Sequence, residues 1–114
     1  TILVVDDFAP NIELLSEVLG GDQEILVATT GQDALDTAIS QLPDLILLDI
    51  MLPKMSGLDV CRTLRQRGVN APIIMLTTES QVAKREEGRV AGASGWIVKP
   101  FSPEKFLEVV KKFI

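Results

Sequence analysis

The feature that most constrains this chain is a series of five short apolar runs, spaced at nearly regular intervals along its 114 residues. The runs are rich in leucine and β-branched side chains and occupy residues 2–5, 24–28, 45–48, 73–76 and 96–98. Their apolar residues are continuous rather than alternating, a pattern typical of strands that are covered on both faces. The sequence therefore predicts a buried parallel sheet of five strands.

The segments between the runs have the period of amphipathic helices. The clearest apolar stripe consists of Ala34, Leu35, Ala38, Ile39 and Leu42. The last helix is predicted to begin with Ser102 as its N-cap and Pro103 in its first turn. Segment 81–91 has only four small apolar anchors, which leaves open a mobile helix, a helix that faces a partner and a merely solvated one.

Strands that alternate with helices predict an α/β fold, because right-handed crossovers place the helices on both faces of a parallel sheet. We expect a doubly wound, five-stranded parallel sheet in the order 2-1-3-4-5, a flavodoxin-like three-layer sandwich with five helices. The length predicts a single domain over residues 1–114.

Composition excludes several classes of function. Sixteen acidic residues against eleven basic ones give a net charge of −5, which does not favour direct nucleic-acid binding. No apolar run exceeds four residues, so no membrane span is expected. The chain has no histidine, which removes histidine-based nucleophile systems and zinc sites. Its single cysteine, Cys61, is expected in the core and fits a reducing, cytoplasmic location.

Residues whose side chains can react or bind a metal follow four of the five predicted strands. Strand one ends in Asp6 and Asp7, strand three in Asp49, strand four in Thr77 and strand five in Lys99. Because ligands of such folds bind beyond the carboxyl ends of the strands, we expect these side chains to form one site. Taken singly, each has a plain structural interpretation as a turn acid, a capping hydroxyl or a solvated lysine.

Three converging carboxylates repel one another, and a hard divalent cation removes that repulsion. Carboxylates, a carbonyl and water are the ligands that Mg²⁺ prefers. A carboxylate nucleophile, a metal, a cation and a hydroxyl are together what phosphoryl transfer needs. The residues therefore predict Mg²⁺-dependent phosphoryl chemistry.

With these residues in place, the chain resembles the receiver domain of two-component response regulators over essentially all 114 positions. Four motifs stand in the family's order and spacing: Val4-Val5-Asp6-Asp7, residues 43–49 followed by Met51-Leu52-Pro53 and Ser56-Gly57, Ile74-Met75-Leu76-Thr77-Thr78, and residues 92–101. The resemblance implies a signalling switch that catalyses only its own phosphorylation and dephosphorylation, rather than an enzyme.

The resemblance also assigns roles within the site. It implies that Asp49 accepts a phosphoryl group as an acyl phosphate. It implies that Asp7, Asp49 and the main-chain carbonyl of Met51 hold Mg²⁺, while Asp6 acts nearby, partly through water. Lys99 would pair with Asp49 or with its phosphate.

The remaining implied roles concern switching. Thr77 would bind a phosphoryl oxygen, and Trp96 stands where the family has its switch aromatic, usually Tyr or Phe. By default a tryptophan in a strand is a packing residue. The Lys99–Pro100 bond is expected to be cis. Phosphorylation would then alter the surface of the fourth helix, fifth strand and fifth helix.

The implied partners are a cognate histidine kinase or phosphotransfer domain and a downstream effector or fused output domain. A P-loop NTPase is excluded by the absence of its glycine-rich motif, and the acidic first loop disfavours a flavin site. Aspartate-dependent phosphohydrolases place a second acid two residues after their nucleophile, whereas Asp6 and Asp7 are adjacent. The alternatives left open are phosphorylation-independent binding and a designed or recombined receiver-like scaffold. Local likenesses also leave open a stand-alone chemotaxis-type receiver and one trimmed from a multidomain regulator.

Overall fold

A computed structural model of the chain describes residues 1–21, 23–78 and 84–113. Five strands alternate with five helices along these residues. The strands are β1 (Ile2–Val5), β2 (Ile25–Ala28), β3 (Leu45–Asp49), β4 (Ile73–Thr78) and β5 (Gly95–Lys99). The helices are α1 (Ala9–Leu19), α2 (Gly31–Gln41), α3 (Gly57–Gln66), α4 (Arg85–Ala91) and α5 (Pro103–Lys111).

The strands form one parallel sheet in the order β2-β1-β3-β4-β5, which confirms the predicted flavodoxin-like topology. Helices α1 and α5 pack on one face, and α2, α3 and α4 pack on the other. Leu47 and Leu48 show the consequence, since these neighbours in β3 belong to the separate cores on the two faces of the sheet. The order places β1 beside β3, so their carboxyl ends are adjacent.

Three of the strands extend beyond their apolar runs. Asp49, Thr77 and Lys99 are themselves paired in the sheet, opposite Leu76, Val98 and Thr78 respectively. The ladder is made by main-chain groups, so it continues through polar side chains that an apolar pattern cannot include. The residues predicted to follow β3, β4 and β5 are therefore held by the sheet itself.

Burial corrects two of the expectations. Strands β1 and β3 are buried throughout and β4 is buried up to Thr77, but β2 and β5 are only partly buried, because an edge strand has a neighbour on one side only. Val27 in β2 is 45% exposed. In the second helix, Ile39 and Leu42 do not complete the buried stripe, since Leu42 is 72% exposed and ends the helix in a left-handed conformation.

One arginine ties α3 to the start of β4 and to the loop between α4 and β5. The Arg65 guanidinium donates to the carbonyls of Val69, Ala71 and Gly92 at 2.7, 2.8 and 3.0 Å. It also donates to Ser94 Oγ at 3.3 Å. The bonds to Gly92 and Ser94 fix the end of α4 against the body of the domain, and those to Val69 and Ala71 hold the segment between α3 and β4. The poorly anchored segment predicted at 81–91 forms α4 over its second part, while residues 81–83 lie outside the described residues.

Candidate phosphoacceptor site

The acidic site lies where β1 and β3 end side by side. Asp6 and Asp49 are buried, and Asp7 is exposed. One carboxylate oxygen from each of the three lies within 4.8 Å of the others. The three acids predicted from the strand ends are thus brought together.

Asp6 is held by three donors of the chain. Its Oδ1 accepts from the main-chain amide of Phe8 at 3.0 Å, and its Oδ2 accepts from Asn11 Nδ2 and Lys99 Nζ, each at 3.2 Å. Asn11 was not among the residues predicted from the sequence. The signal that was available is its position in the first turn of α1, which begins just after the two acids and points its first residues back at the strand end.

Asp49 has fewer donors and a more accessible carboxylate. Its Oδ1 accepts from the amide of Met51 at 3.2 Å, and its Oδ2 accepts from Lys99 Nζ at 3.3 Å. Burial raises the pKa of Asp49 above its usual value, Lys99 opposes this shift, and the nearby Asp6 charge adds to it. The charge of Asp49 is therefore only partly compensated by the chain.

Lys99 reaches the acids from the end of β5, on the far side of β4. Its Nζ lies between Asp6 and Asp49, and its side chain is 19% exposed. The peptide bond from Lys99 to Pro100 is cis. One lysine against three carboxylates leaves a net negative charge in the site.

A glycine allows the loop after β3 to pass close to the site. A Cβ on Gly57 would lie 2.1 Å from the main-chain oxygen of Asp49. The Gly57 amide donates to the carbonyl of Ile50 at 2.8 Å, which closes this turn. Only a residue without a side chain fits there.

The predicted switch residues lie along β4 and β5. Thr77 is fully buried, and its hydroxyl donates to the carbonyl of Thr78 at 3.2 Å. Trp96 is half-buried and pairs with Met75 on the neighbouring strand, two residues before the pair formed by Val98 and Thr77. Met51 is 62% exposed.

The donor set fits a hard divalent cation. All three candidate ligands are carboxylate oxygens, and ligands on an octahedral ion of this class stand about 3 to 4 Å apart. One carboxylate oxygen each from Asp6, Asp7 and Asp49 lies within 4.8 Å of the others, which is close to that spacing. The arrangement is consistent with a metal-binding site.

A doubly wound fold with an acidic pocket at the β1–β3 switch point defines a class of phosphoacceptor signalling domains, which are switches rather than true enzymes. Residues 2–111 match the response regulator receiver domain, and the chain belongs to that family. None of the helices in the described part of the chain is long and apolar enough to cross a membrane.

Similar proteins fall into two groups. The chain is 40% identical over 114 residues to the alkaline phosphatase synthesis transcriptional regulatory protein PhoP of Bacillus subtilis, covering 99% of this chain and 48% of PhoP. It is 45% identical over 112 residues to the DNA-binding response regulator MtrA of Mycobacterium tuberculosis, covering 96% of this chain and 48% of MtrA. The chain thus spans about half the length of these curated relatives.

Among solved structures, the chemotaxis response regulator CheY4 of Vibrio cholerae superposes with a TM-score of 0.91 at 34% identity. That match covers 99% of this chain and 97% of CheY4. The likeness to a chemotaxis regulator and to DNA-binding regulators parallels the two outputs that the sequence left open.

Proposed function

We propose that this receiver domain accepts a phosphoryl group on Asp49. The observation that carries the proposal is the difference between the three acids. Asp6 is 1% exposed and accepts from three donors, and Asp7 is exposed. Asp49 lies between these extremes: it is held by the Met51 amide and Lys99, and at 8% exposed it is more accessible than Asp6.

In the proposed reaction, an Asp49 carboxylate oxygen attacks the phosphorus atom of the donor. A new O–P bond forms, and the bond from phosphorus to the donor's histidine nitrogen, or to the acyl oxygen of acetyl phosphate, breaks with its electron pair leaving on the donor. Lys99 Nζ, already 3.3 Å from Asp49 Oδ2, balances negative charge on the acid and on the phosphoryl oxygens. The Thr77 hydroxyl would rotate from the Thr78 carbonyl to a phosphoryl oxygen.

We propose Mg²⁺ as the metal. Asp7, Asp49 and the main-chain carbonyl of Met51 would hold it, with Asp6 acting through water because chain donors already occupy both of its oxygens. When bound, Mg²⁺ supplies positive charge to the acidic cluster and to the transferring phosphoryl group.

The proposed readout is a population shift on the α4–β5–α5 surface. Thr77 and Trp96 lie on neighbouring strands, so movement of the threonine hydroxyl toward a phosphate changes the space available to the indole ring. The ring contacts α4, and its position therefore alters that surface.

A receiver domain implies a histidine kinase or phosphotransfer domain as its donor. We propose a downstream effector protein or a fused output domain as the receiver of the signal, without direct contact of this domain with nucleic acid. The single-domain assignment over 1–114 and the cytoplasmic location remain predictions.

The test is incubation with acetyl phosphate, with and without Mg²⁺, followed by intact mass and Trp96 fluorescence. We expect a mass gain of one phosphoryl group that requires Mg²⁺ and is lost in Asp49→Asn. Asp59→Asn is the matched control, because Asp59 is a surface acid paired with Arg62 outside the site. No mass gain in the unsubstituted protein would overturn the proposal and favour phosphorylation-independent binding or a receiver-like scaffold.

A further inference from the structure

Gly88, in the middle of α4, lies directly against the ring of Trp96. A Cβ on Gly88 would lie 2.4 Å from Cζ3 of the indole, 3.2 Å from Cε3 and 3.5 Å from Cη2. The first of these distances is far below van der Waals contact, and the nearest atoms belong to a rigid ring. The benzene edge of Trp96 therefore occupies the place where any other residue would carry its side chain.

Backbone conformation does not explain this glycine. The positive-φ glycines in the described residues are Gly20, Gly68 and Gly92, and Gly88 is not among them. Gly88 is buried within a helix of seven residues, where alanine would favour helix formation. The requirement at this position is space for the ring.

The C-terminal end of helix α4 is anchored to the body of the domain. Arg65 Nε holds the Gly92 carbonyl at 3.0 Å, directly after the helix. Ser94 is held by its amide to the carbonyl of Ile73 at 2.7 Å, and its hydroxyl accepts from the Ile73 amide at 3.2 Å. Because the C-terminal end of α4 is fixed, a side chain on residue 88 would displace the ring rather than the helix.

The ring also has space to move into. The indole Nε1–H is buried and has no hydrogen-bond acceptor among the described residues. A cavity of about 320 Å³ adjoins the ring and is lined in part by Arg85, Glu86 and Ser94. The apolar edge of the indole thus fits only against glycine, and the adjoining cavity offers the ring another position.

We infer that Gly88 is a positioning residue that sets the resting place of Trp96, and through it the response of the α4–β5 surface to phosphorylation. Only the part of this inference that concerns the response to phosphorylation rests on the proposed function. The resting position of the ring is testable without any phosphoryl chemistry.

The test is Gly88→Ala, read by the fluorescence of the chain's single tryptophan. In Mg²⁺-free buffer we expect a shifted emission maximum and increased quenching by acrylamide, because the ring moves toward the cavity. Helix propensity alone predicts that this substitution raises the folding equilibrium constant about fivefold. Displacement of the ring predicts that the constant falls instead, and that the fluorescence change on phosphorylation is lost.

The same substitution in a Trp96→Phe variant shows whether the ring causes the loss of stability. Trp96→Phe removes Cζ3 and Cη2, so Gly88→Ala in that background should raise the folding constant as propensity predicts, measured by circular dichroism. Val90→Ala, a change at a 73% exposed position of α4, should leave the emission of Trp96 unchanged. If Gly88→Ala alone fails to fold, folding of the double variant supports the inference.

Two results would overturn it: an unchanged emission maximum with a raised folding constant in Gly88→Ala, or a double variant as unstable as the single one. Both are independent of acetyl phosphate. A protein that takes up no phosphoryl group but shows the displaced ring would reject the proposed function and retain the role of Gly88 in placing Trp96.

Discussion

Replacing Asp49 by asparagine should stabilise the metal-free domain at neutral pH. The candidate ligand oxygens of Asp49 and Asp6 lie within 4.8 Å of each other, and at an effective dielectric constant of about 20 charges at that distance repel by about 3.5 kcal/mol or more. The exposed Asp7 adds about 1 kcal/mol at the dielectric constant of water. Attraction between Asp49 and Lys99 at 3.3 Å stabilises the charged form by about 5 kcal/mol. This attraction nearly cancels the repulsion from Asp6 and Asp7.

The cost of burying the Asp49 carboxylate therefore decides the sign. Burial is the largest cause of its raised pKa, and an incompletely compensated buried charge costs about 1 kcal/mol or more. Asparagine keeps the shape and an acceptor for the Met51 amide, while Lys99 keeps Asp6 as its partner. A gain of about 1 kcal/mol corresponds to an increase of about 5 °C in Tm for a domain of this size.

The pH dependence follows from the same shift. The native pKa of Asp49 lies above its ordinary value of 3.8, so in the window between the two values the native state binds more protons than the unfolded state. The contribution of Asp49 to the free energy of unfolding is complete below pH 3.8 and is lost as the pH rises through its native pKa. The advantage of Asp49→Asn should therefore be present at pH 7 and shrink toward pH 4.

The assay is thermal unfolding by circular dichroism in EDTA and again with Mg²⁺. We expect Asp49→Asn to melt above the unsubstituted protein in EDTA, and Mg²⁺ to stabilise the unsubstituted protein more than the variant. Asp59→Asn, a surface change, should shift Tm little. An Asp49→Asn variant that melts at or below the unsubstituted protein in EDTA at pH 7 would refute the reasoning.

Three further outcomes are expected. Arg65→Ala removes four hydrogen bonds that join three segments, and should lower the free energy of unfolding in urea by about 2–4 kcal/mol, whereas Arg62→Ala, at an exposed ion pair, should change it by under about 1 kcal/mol. Equal effects of the two would contradict the anchoring role of Arg65. Gly57→Ala should prevent folding, because its Cβ would lie 2.1 Å from the Asp49 carbonyl oxygen. A native-like near-UV circular dichroism spectrum of this variant would count against that close approach. Burial raises the pKa of Cys61, so its thiol should react with a disulfide reagent only after addition of denaturant, and fast reaction with the native domain would be inconsistent with its burial.

The sequence predicted the convergence of Asp6, Asp49 and Lys99 because strand direction and strand order together determine it. Once the strands are parallel and the order is 2-1-3-4-5, residues at their carboxyl ends share one edge. The flavodoxin-like fold followed for a similar reason, since continuous apolar runs and crossover handedness leave few topologies.

Side chains that act between elements were not predictable. Asn11 on Asp6, Arg65 on the α4–β5 loop and Gly88 under Trp96 depend on how helices rotate and how far they lie from the sheet. Hydrophobic periodicity fixes which face of a helix is inward but not the partner of one polar atom. The same limit explains Leu42, whose position in the apolar stripe did not reveal that the helix ends there in a left-handed turn.

The central claim, phosphorylation of Asp49, is tested most directly by locating the modification. The domain is treated with acetyl phosphate and Mg²⁺, the acyl phosphate is reduced with borohydride to homoserine, and peptides are sequenced by mass spectrometry. We predict homoserine at position 49 and aspartate retained at Asp6 and Asp7. Homoserine at position 6 or 7, or none in a protein that has gained a phosphoryl group, would contradict the assignment.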